Sequence, residues 1–290
     1  MAIDAIPWRG PGPGRPDLPL PPGPMPLWRD GAIRKRWRYV GVYGEGVMLC
    51  AARAEVGPAS QCFWALWAPE SGLELGHTSL RPGSREVVFD GPRVKIDGPG
   101  IYAELTLDGS TPTASPWDTT PIESICPSGP GWGWTRKRAG LRVSGKVEVP
   151  SHSFHFDGVP FAVDDESAGY QARRTRWHWS AGVGRARDGR LLAWNLVEGI
   201  NDPPEHSERA VWIDGVPHEP APVRFDGLDA VRFAEGSRLD FEPGAERSRD
   251  DNFLLVRSTY RHRFGTFSGT LDGIELGEGR GVMEYHTALW

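Results

Sequence analysis

The chain has 290 residues, a length that suits one large domain or two modest ones. Its hydrophobic fraction of 39% is enough for a core, and 13 tryptophans make the apolar part strongly aromatic. A formal net charge of −5 disfavours a surface that coats nucleic acid, so no nucleic-acid partner is expected.

The first 30 residues are predicted to form an extended arm. Nine prolines lie between residues 7 and 26, and proline lacks the N–H that helices and strand ladders need. The arm either wraps the body or is partly disordered. Wrapping is favoured because Leu18, Leu20, Leu27 and Trp28 would otherwise be left in water. The first stretch, MAIDAIPWRGPGPGRP, lacks the uninterrupted apolar segment of a secretory signal.

After Asp30 the chain shows short strand-like runs separated by Gly, Pro and Asp, such as RKRWRYVGVYG, QCFWALWAP and IYAELTL. Asp-Gly pairs, which supply the positive-φ positions of tight hairpins, recur at 90–91, 97–98, 108–109, 157–158, 188–189, 214–215, 226–227 and 272–273. No long segment has the 3.6-residue periodicity of a helix. The pattern predicts an antiparallel all-β meander.

The three cysteines, Cys50, Cys62 and Cys126, show no CxxC spacing. An odd number without paired spacing disfavours both a disulfide framework and a structural zinc site, and predicts buried free thiols. No apolar run approaches the roughly 20 residues that span a bilayer. We therefore expect a cytoplasmic protein with no integral membrane segment.

A division of the chain is predicted near Val149-Pro150. The segments 31–150 and 151–290 are similar in length and both read as β-meanders. The expected architecture is two antiparallel β-barrel or sandwich halves packed together, preceded by the arm at 1–30. No residue-by-residue internal repeat is visible, so this expectation rests on strand number.

The segment TRWHWSAGVG, followed by RDGR and LLAWNLVEG, predicts a hairpin closed by Asp188-Gly189. Side chains alternate along a strand, so Trp177 and Trp179 share one face and His178 lies on the other. In the second strand the same alternation separates Leu192, Trp194, Leu196 and Glu198 from Leu191, Ala193, Asn195 and Val197. A buried Asn or Glu without a hydrogen bond costs about 1–3 kcal/mol. Such residues are therefore either members of a structural network or ligand contacts.

Three successive carboxylates, Asp164 to Glu166, precede the sequence Ser-Ala-Gly-Tyr that ends at Tyr170. Like charges repel, so at least one carboxylate should face solvent or pair with a nearby arginine. A carboxylate beside an aromatic wall would have a raised pKa and could act as a general acid. The alternative is a turn in which these oxygens cap local N–H groups.

A second polar cluster lies in GVMEYH near the C-terminus. Glu284 and His286 share one strand face, and Tyr285 lies on the other. The pair could be one end of a proton relay or half of a metal site, but no further histidine has convincing spacing, so no metal is expected. Dinucleotide and phosphate-binding loops are absent, and GTFSG does not have the serine position or context of a nucleophile elbow, so no cofactor is expected.

Several blocks resemble the DUF2804 family of bacterial proteins: GWGWTRKRAG (131–140), DESAGYQARRTRWHWSAGVG (165–184), DGRLLAWNLVEG (188–199), SERAVWIDGVPH (207–218) and FGTFSGTL (264–271). That family is distantly similar to the AttH/CrtC-like proteins, which resemble two lipocalin-like barrels packed together and include carotenoid hydratases and natural-product cyclases. The resemblance implies a hydrophobic pocket and cofactor-free chemistry. It carries over no catalytic residue.

Two main functions are compatible with these observations. In the first, an enzyme holds a terpenoid, steroid or polyketide-like molecule against aromatic rings while a carboxylic acid protonates an alkene or activates water. In the second, the same pocket serves a non-catalytic carrier or sensor; a scaffold with a vestigial cavity is a third possibility. The candidate catalytic residues are Asp165, Glu166, His178 and Glu284. The candidate ligand-binding residues are Tyr170, Trp177, Trp179, Trp194, Asn195, Glu198 and Tyr285.

Overall fold

The computed structural model describes residues 6–11, 13–81, 83–108, 119–253 and 256–289. In these residues the regular structure is β-strand, apart from one 3-10 turn at Pro69–Ser71. All the strand pairs found there are antiparallel, as alternating apolar and polar residues with Gly-rich turns predict. None of the described residues forms a helix long and apolar enough to span a membrane.

The first part of the chain contains thirteen strands within the described ranges. They are β1 (Trp8–Gly10), β2 (Trp28–Arg29), β3 (Ala32–Ile33), β4 (Lys35–Tyr43), β5 (Met48–Val56), β6 (Ala59–Ala68), β7 (Leu73–Ser79), β8 (Val87–Asp90), β9 (Arg93–Gly98), β10 (Ile101–Asp108), β11 (Ile122–Ser128), β12 (Gly131–Val149) and β13 (His152–Gly169). Eleven of these form the first sheet, in the order β7-β6-β5-β4-β13-β12-β10-β9-β8, with β11 and β1 continuing from β12. Strands β2 and β3 form a separate small hairpin.

The second sheet has nine strands in the described ranges. They are β14 (Arg174–Ala186), β15 (Leu191–Glu198), β16 (Ala210–Ile213), β17 (Val216–His218), β18 (Arg224–Asp226), β19 (Ala230–Arg232), β20 (Arg238–Phe253), β21 (Val256–Leu271) and β22 (Ile274–Leu289). Their order is β17-β16-β15-β14-β22-β21-β20-β19-β18. The predicted hairpin closed by Asp188-Gly189 is confirmed as β14 and β15, paired from His178–Glu198 to Arg185–Leu191.

The chain passes from the first sheet to the second between Gly169 and Arg174. The sequence-based division near 150 instead lies at the turn of the β12–β13 hairpin, inside the first sheet. The reason is that β13 extends past this turn and pairs with β4, a long-range contact that turn signals cannot reveal. The buried Lys35 holds the crossing, because its Nζ donates to the carbonyls of Gln171 and Ala172 at 2.9 Å each. The assignment of domains stays a prediction.

Each sheet is curled around its own apolar core, and a third apolar layer lies between the sheets. Val40, Leu66 and Leu141 belong to the core of the first half, and Trp194 and Phe267 to that of the second. The layer between them combines residues of both sheets, including Tyr39, Tyr43, Trp179, Ala181, Trp212, Phe264 and Val282. The expectation of an all-β protein built from two packed halves is confirmed.

The Pro-rich arm packs against the first sheet. Leu20 is 1% exposed and lies in a cluster with Met25, Trp132 and Tyr170. Strand β1 also adds to the sheet by pairing with β11. The prediction of wrapping is thus confirmed for Leu18 and Leu20, but Leu27 and Trp28 are 39% and 61% exposed. All three cysteines are free and buried, as expected.

Candidate functional site

A pocket lies between the two halves, not inside either barrel. Its volume, counted together with the space open to solvent, is about 980 Å³. The lining comes from both sheets and comprises Trp37, Tyr39, Ala52, Ala54, Gln61, Phe63, Lys137, Asp165, Trp177, Trp179, Val197, Ile200, Asn201, Glu208, Arg247, Arg249, Asp251, Ser258, Tyr260, Glu284 and His286. The space that a water-sized sphere can enter is about 130 Å³, and the rest of the cleft includes open solvent.

Aromatic rings form much of the pocket wall. The Trp37 and Trp177 rings are parallel, with centroids 6.4 Å apart, and Tyr39 packs edge-on against Trp179 at 5.2 Å. These pairs join β4 to β14, because alternate residues of each strand face the other sheet. Their faces present flat apolar surface and negative ring density to a ligand.

Glu284 lies in this wall with its carboxylate buried. Oε1 accepts a hydrogen bond of 2.9 Å from Trp177 Nε1. Burial raises the pKa of Glu284 to about 7; the hydrogen bond from Trp177, the neighbouring hydroxyl of Tyr260 and the charge of Arg247 oppose the increase, while Asp165 adds to it. The carboxyl group therefore exists in both protonation states near neutral pH, as proton transfer requires.

Two neutral imidazoles lie close to Glu284: His286 lines the pocket, and His262 is fully buried on the neighbouring strand. His286 Nε2 is 2.8 Å from Ser258 Oγ, and its ring packs edge-on against Trp177 at 4.3 Å. His262 Nε2 is 3.1 Å from the hydroxyl of Tyr39. Burial lowers the pKa of each histidine to about 3, so both are uncharged at neutral pH.

The other side of the pocket holds a buried ionic cluster. Lys137 Nζ lies 2.6 Å from Asp165 Oδ1 and 3.4 Å from Glu208 Oε2. Glu208 also accepts a 2.9 Å hydrogen bond from Asn201 Nδ2, whereas Asn201 Oδ1 has no partner among the described residues. Burial raises the pKa of both Asp165 and Glu208, although the attraction of Lys137 lowers them in part. Two carboxylates share one ammonium group, so the cluster can hold an additional proton.

The structure brings four of the candidate residues together at the pocket: Asp165, Glu284, Trp177 and Trp179. Asn195 does not line the pocket but contacts a residue that does. Its Oδ1 accepts a hydrogen bond of 2.8 Å from Trp179 Nε1. Its amide donates in turn to the carbonyl of Glu208 at 2.9 Å. Asn195 therefore fixes the orientation of the pocket indole.

Glu166, a catalytic candidate from the sequence, does not line the pocket. Alternation along β13 puts it on the opposite face from Asp165, where it pairs with Arg136 at 2.6 Å. Asp164 shares that face and pairs with Arg38 and Arg138 at 2.9 Å and 2.5 Å. Of the three successive carboxylates, Asp165 alone lines the pocket.

The other candidates also lie away from the pocket. His178 packs against Tyr285 at 4.8 Å and Phe225 at 5.5 Å, on the far face of the second sheet. Glu198 lies on that side as well and pairs with Arg224 at 2.6 Å. Side chains at even-numbered positions of β14 and β15 point away from the first sheet. Alternation along these strands therefore explains why His178 and Glu198 lie outside the pocket.

Trp194 and Tyr170 are buried in other parts of the fold, away from the pocket. The Trp194 ring lies against Gly182, where an added Cβ would come within 2.1 Å of it. Its Nε1 donates to Ser180 Oγ at 3.0 Å in the core of the second half. Tyr170 lies beneath the N-terminal arm and donates its hydroxyl to the carbonyl of Pro26 at 2.6 Å.

Several lining residues were not identified from the sequence. Trp37 and Tyr39 alternate in β4 in the same way as Trp177 and Trp179, and that pattern could have marked them. Lys137, Glu208 and Tyr260 carried no such signal, because they meet only through pairing between distant strands. In the described residues, no group of three or more His, Cys, Asp or Glu is placed to hold a metal ion.

Comparison with known proteins agrees with this architecture. A search of curated proteins found no match. Among solved structures, an AttH-like protein from Nitrosomonas europaea has a TM-score of 0.57 at 16% identity, over 92% of this chain and 97% of its own. Kievitone hydratase from Nectria haematococca has a TM-score of 0.55 at 9% identity, over 87% of this chain and 88% of its own. These two likenesses concern the fold.

The family assignment comes from the sequence itself. The model of the family described as a domain of unknown function (DUF2804) matches residues 68–290, which include most of the first sheet and all of the second. The matched region contains most of the lining of the pocket, including Asp165, Tyr260 and Glu284. This chain belongs to the DUF2804 family.

Proposed function

We propose that the protein binds a bulky apolar small molecule between its two halves and transfers a proton to it, as in a hydration, cyclisation or isomerisation. The single observation that carries this proposal is Glu284, a buried carboxyl group with a pKa of about 7 in the wall of an aromatic pocket. Such a group can donate a proton at neutral pH in a place from which bulk water is largely excluded. The fold shared with kievitone hydratase supports this class of reaction.

In a hydration, Glu284 gives its proton to one carbon of a double bond and leaves positive charge on the other carbon. The rings of Trp37 and Trp177 stabilise that cation by attraction to their faces, by about 0.5–2 kcal/mol each. Water then forms a bond to the cationic carbon and releases a proton. That proton is accepted by the cluster of Asp165, Lys137 and Glu208 or by the Glu284 carboxylate, so the net change is addition of water.

In a cyclisation or isomerisation the same proton transfer is followed by attack of a second double bond or by loss of a different proton. Glu284 again starts the reaction, and a carboxylate on the other side of the pocket accepts the proton that leaves. Asp165 is suited to this part because burial already raises its pKa. The proposal therefore assigns Glu284 as the acid and the Asp165 cluster as the base.

Isotope transfer tests this proposal even while the substrate is unidentified. An extract of apolar metabolites is incubated with the protein in deuterium oxide and examined by mass spectrometry. We expect deuterium on carbon in at least one compound with the wild type, and none with Glu284→Gln. The control is Glu166→Gln, which should label as the wild type does because Glu166 pairs with Arg136 outside the pocket.

Labelling that is unchanged in Glu284→Gln would refute the assigned acid. If compounds are retained by the wild type but none is labelled, the protein is a carrier, since a carrier needs the aromatic wall but not the acid.

A further inference from the structure

Arg247 occupies the junction between the pocket and a neighbouring groove. The groove is bordered by the 74–78 segment of β7 and by the 245–249 segment of β20, and Arg247 lines both spaces. The guanidinium carbon lies 4.1 Å from the ring centroid of Phe63 and 5.2 Å from that of Tyr260. These two rings hold the cation at the edge of the apolar wall.

Among the residues that the structure describes, Arg247 has no acidic partner, unlike the arginines beside it. On the same pair of strands, Arg249 pairs with Asp251 at 2.7 Å, Arg261 with Asp250 at 2.8 Å and Arg263 with Glu246 at 2.6 Å. For Arg247, no carboxylate of the described residues lies within salt-bridge distance. Its one hydrogen bond to these residues goes from Nη2 to Thr78 Oγ1, at 2.6 Å. Most of its N–H donors therefore remain available to a ligand.

A second polar group next to Arg247 is also available. Tyr260 lies between Arg247 and Glu284, and its hydroxyl lowers the pKa of Glu284. The hydroxyl oxygen is buried, yet within the described ranges it makes no hydrogen bond of ordinary length and angle. A buried hydroxyl without a well-formed hydrogen bond destabilises the protein, and a hydrogen bond to a ligand oxygen would remove that cost.

We propose that the ligand of this pocket is an apolar carboxylic acid, with its carboxylate on Arg247 and its hydrocarbon body among the aromatic rings. This inference rests on the proposed function, because it names the class of ligand for the same pocket. A planar guanidinium presents its donors to a carboxylate in a fork, which a hydroxyl or ketone would use only in part. The Tyr260 hydroxyl can donate to the same carboxylate.

A matched pair of fluorescent probes tests the inference. The acid 1-pyrenebutyrate and the alcohol 1-pyrenebutanol share the apolar body and differ in the head group. Their affinities are measured by quenching of the tryptophans that line the pocket. For the wild type we expect the acid to bind about tenfold more tightly than the alcohol, as a charge-assisted hydrogen bond predicts.

Three variants locate the effect. Arg247→Gln should lower the affinity for the acid to that for the alcohol, while the affinity for the alcohol stays within about twofold. Arg247→Lys, which keeps the charge without the fork, should retain part of the preference. The control Arg261→Gln removes the same charge from the neighbouring strand, outside the pocket, and should keep the full preference.

The possible failures are distinguishable. If the wild type binds both probes equally, the acid-binding inference is overturned and the apolar pocket stands. If the preference for the acid persists in Arg247→Gln, the carboxylate is held elsewhere and the inference is likewise overturned. If neither probe binds, the proposed function fails together with it. The comparison of the two probes on the wild type does not depend on the folding of any variant.

Discussion

At the scale of single residues, the pocket and its surroundings contain ionisable groups whose pKa values are shifted by burial. Glu284 lies among apolar rings and has a raised pKa, whereas His262 and His286 have lowered ones. The Lys137 cluster places three charged groups in the same small space. Each arrangement has a measurable effect on stability, because a shifted pKa links folding to pH.

The substitution Glu284→Gln should stabilise the protein in alkaline solution. The pKa of Glu284 is about 7 in the folded state against 4.5 for the ordinary value. Its contribution to stability is therefore complete below pH 4.5 and is lost as the pH rises through 7. Relative to the wild type, the variant should gain about 3 kcal/mol in free energy of unfolding between pH 4.5 and pH 8.

Urea denaturation at a series of pH values measures this gain. Glu166→Gln is the control, and its difference from the wild type should change little over the same range. A difference between Glu284→Gln and the wild type that does not vary with pH would contradict the raised pKa.

Removal of Lys137 should be costly. Lys137→Met leaves Asp165 and Glu208 buried without their shared cation, and breaking a buried ionic group in this way costs about 3–5 kcal/mol. Arg136→Met is the matched control. Its pair with Glu166 is partly exposed to solvent, so its loss should cost less than about 1 kcal/mol. Chemical denaturation at pH 8 distinguishes the two, and equal losses would show that the cluster is not strongly desolvated.

At the scale of elements, the sequence predicts local structure well and long-range pairing poorly. The hairpin closed by Asp188-Gly189 and the alternation that places Trp177 with Trp179 follow from residues close in sequence. The presence of Asp165 and Glu284 in one pocket does not, because β13 and β22 belong to different sheets. The same alternation that puts Trp179 in the pocket puts His178 outside it. The sequence therefore predicts which side chains share a strand face, but it does not predict which other element that face packs against.

Turn signals have a similar limit. Asp-Gly pairs do close the turns at 188–189, 214–215 and 272–273, but the pair at 157–158 lies within β13. There Gly158 has a φ of +66° next to an irregularity in the pairing with β12. Positive φ serves a strand irregularity as well as a hairpin, so the dipeptide alone cannot separate them. The pair at 108–109 lies partly outside the described residues.

The N-terminal arm should contribute to stability as a part of the fold. Leu20→Ala removes a side chain that is 1% exposed and should cost about 2–4 kcal/mol. Leu27→Ala removes the same atoms from a position that is 39% exposed and should cost less than about 1 kcal/mol. Thermal or urea unfolding measures both. If the two variants are equally stable, the contact of Leu20 with Trp132 and Tyr170 contributes little.

At the scale of the whole molecule, the two halves meet through a layer that contains the pocket, so events in the pocket affect both sheets. His262 belongs to the second sheet and bonds Tyr39 of the first. It is fully buried and neutral, and its protonation would place a charge in this shared layer. Acid unfolding should therefore begin at the contact between the halves.

The protein should lose stability in acid through His262. The pKa of His262 is about 3 when folded against 6.5 ordinarily, so its contribution is present above pH 6.5 and is lost as the pH falls toward 3. By pH 4.5 the loss should reach about 2–3 kcal/mol. His262→Asn has no imidazole to protonate and should not lose this free energy. The difference in free energy of unfolding between the wild type and the variant should therefore shift by about 2–3 kcal/mol in favour of the variant between pH 7 and pH 4.5.

The control for this measurement is His152→Asn at an exposed position, which should follow the wild type throughout. A constant gap between His262→Asn and the wild type would mean that water reaches the imidazole in the folded protein.

The alternation of side chains in β4 has a consequence for how the protein can change over time. Trp37 and Tyr39 face the ligand space, whereas Val40 and Val42 fill the interior of the first half. Under the proposed function, substitutions at Trp37 can alter ligand selectivity while Val40 and Val42 continue to fill the core of the first half. New specificities are then accessible by single substitutions. A directed-evolution library confined to the partly exposed pocket positions Trp37, Ala54 and Phe63 should yield a high proportion of folded variants.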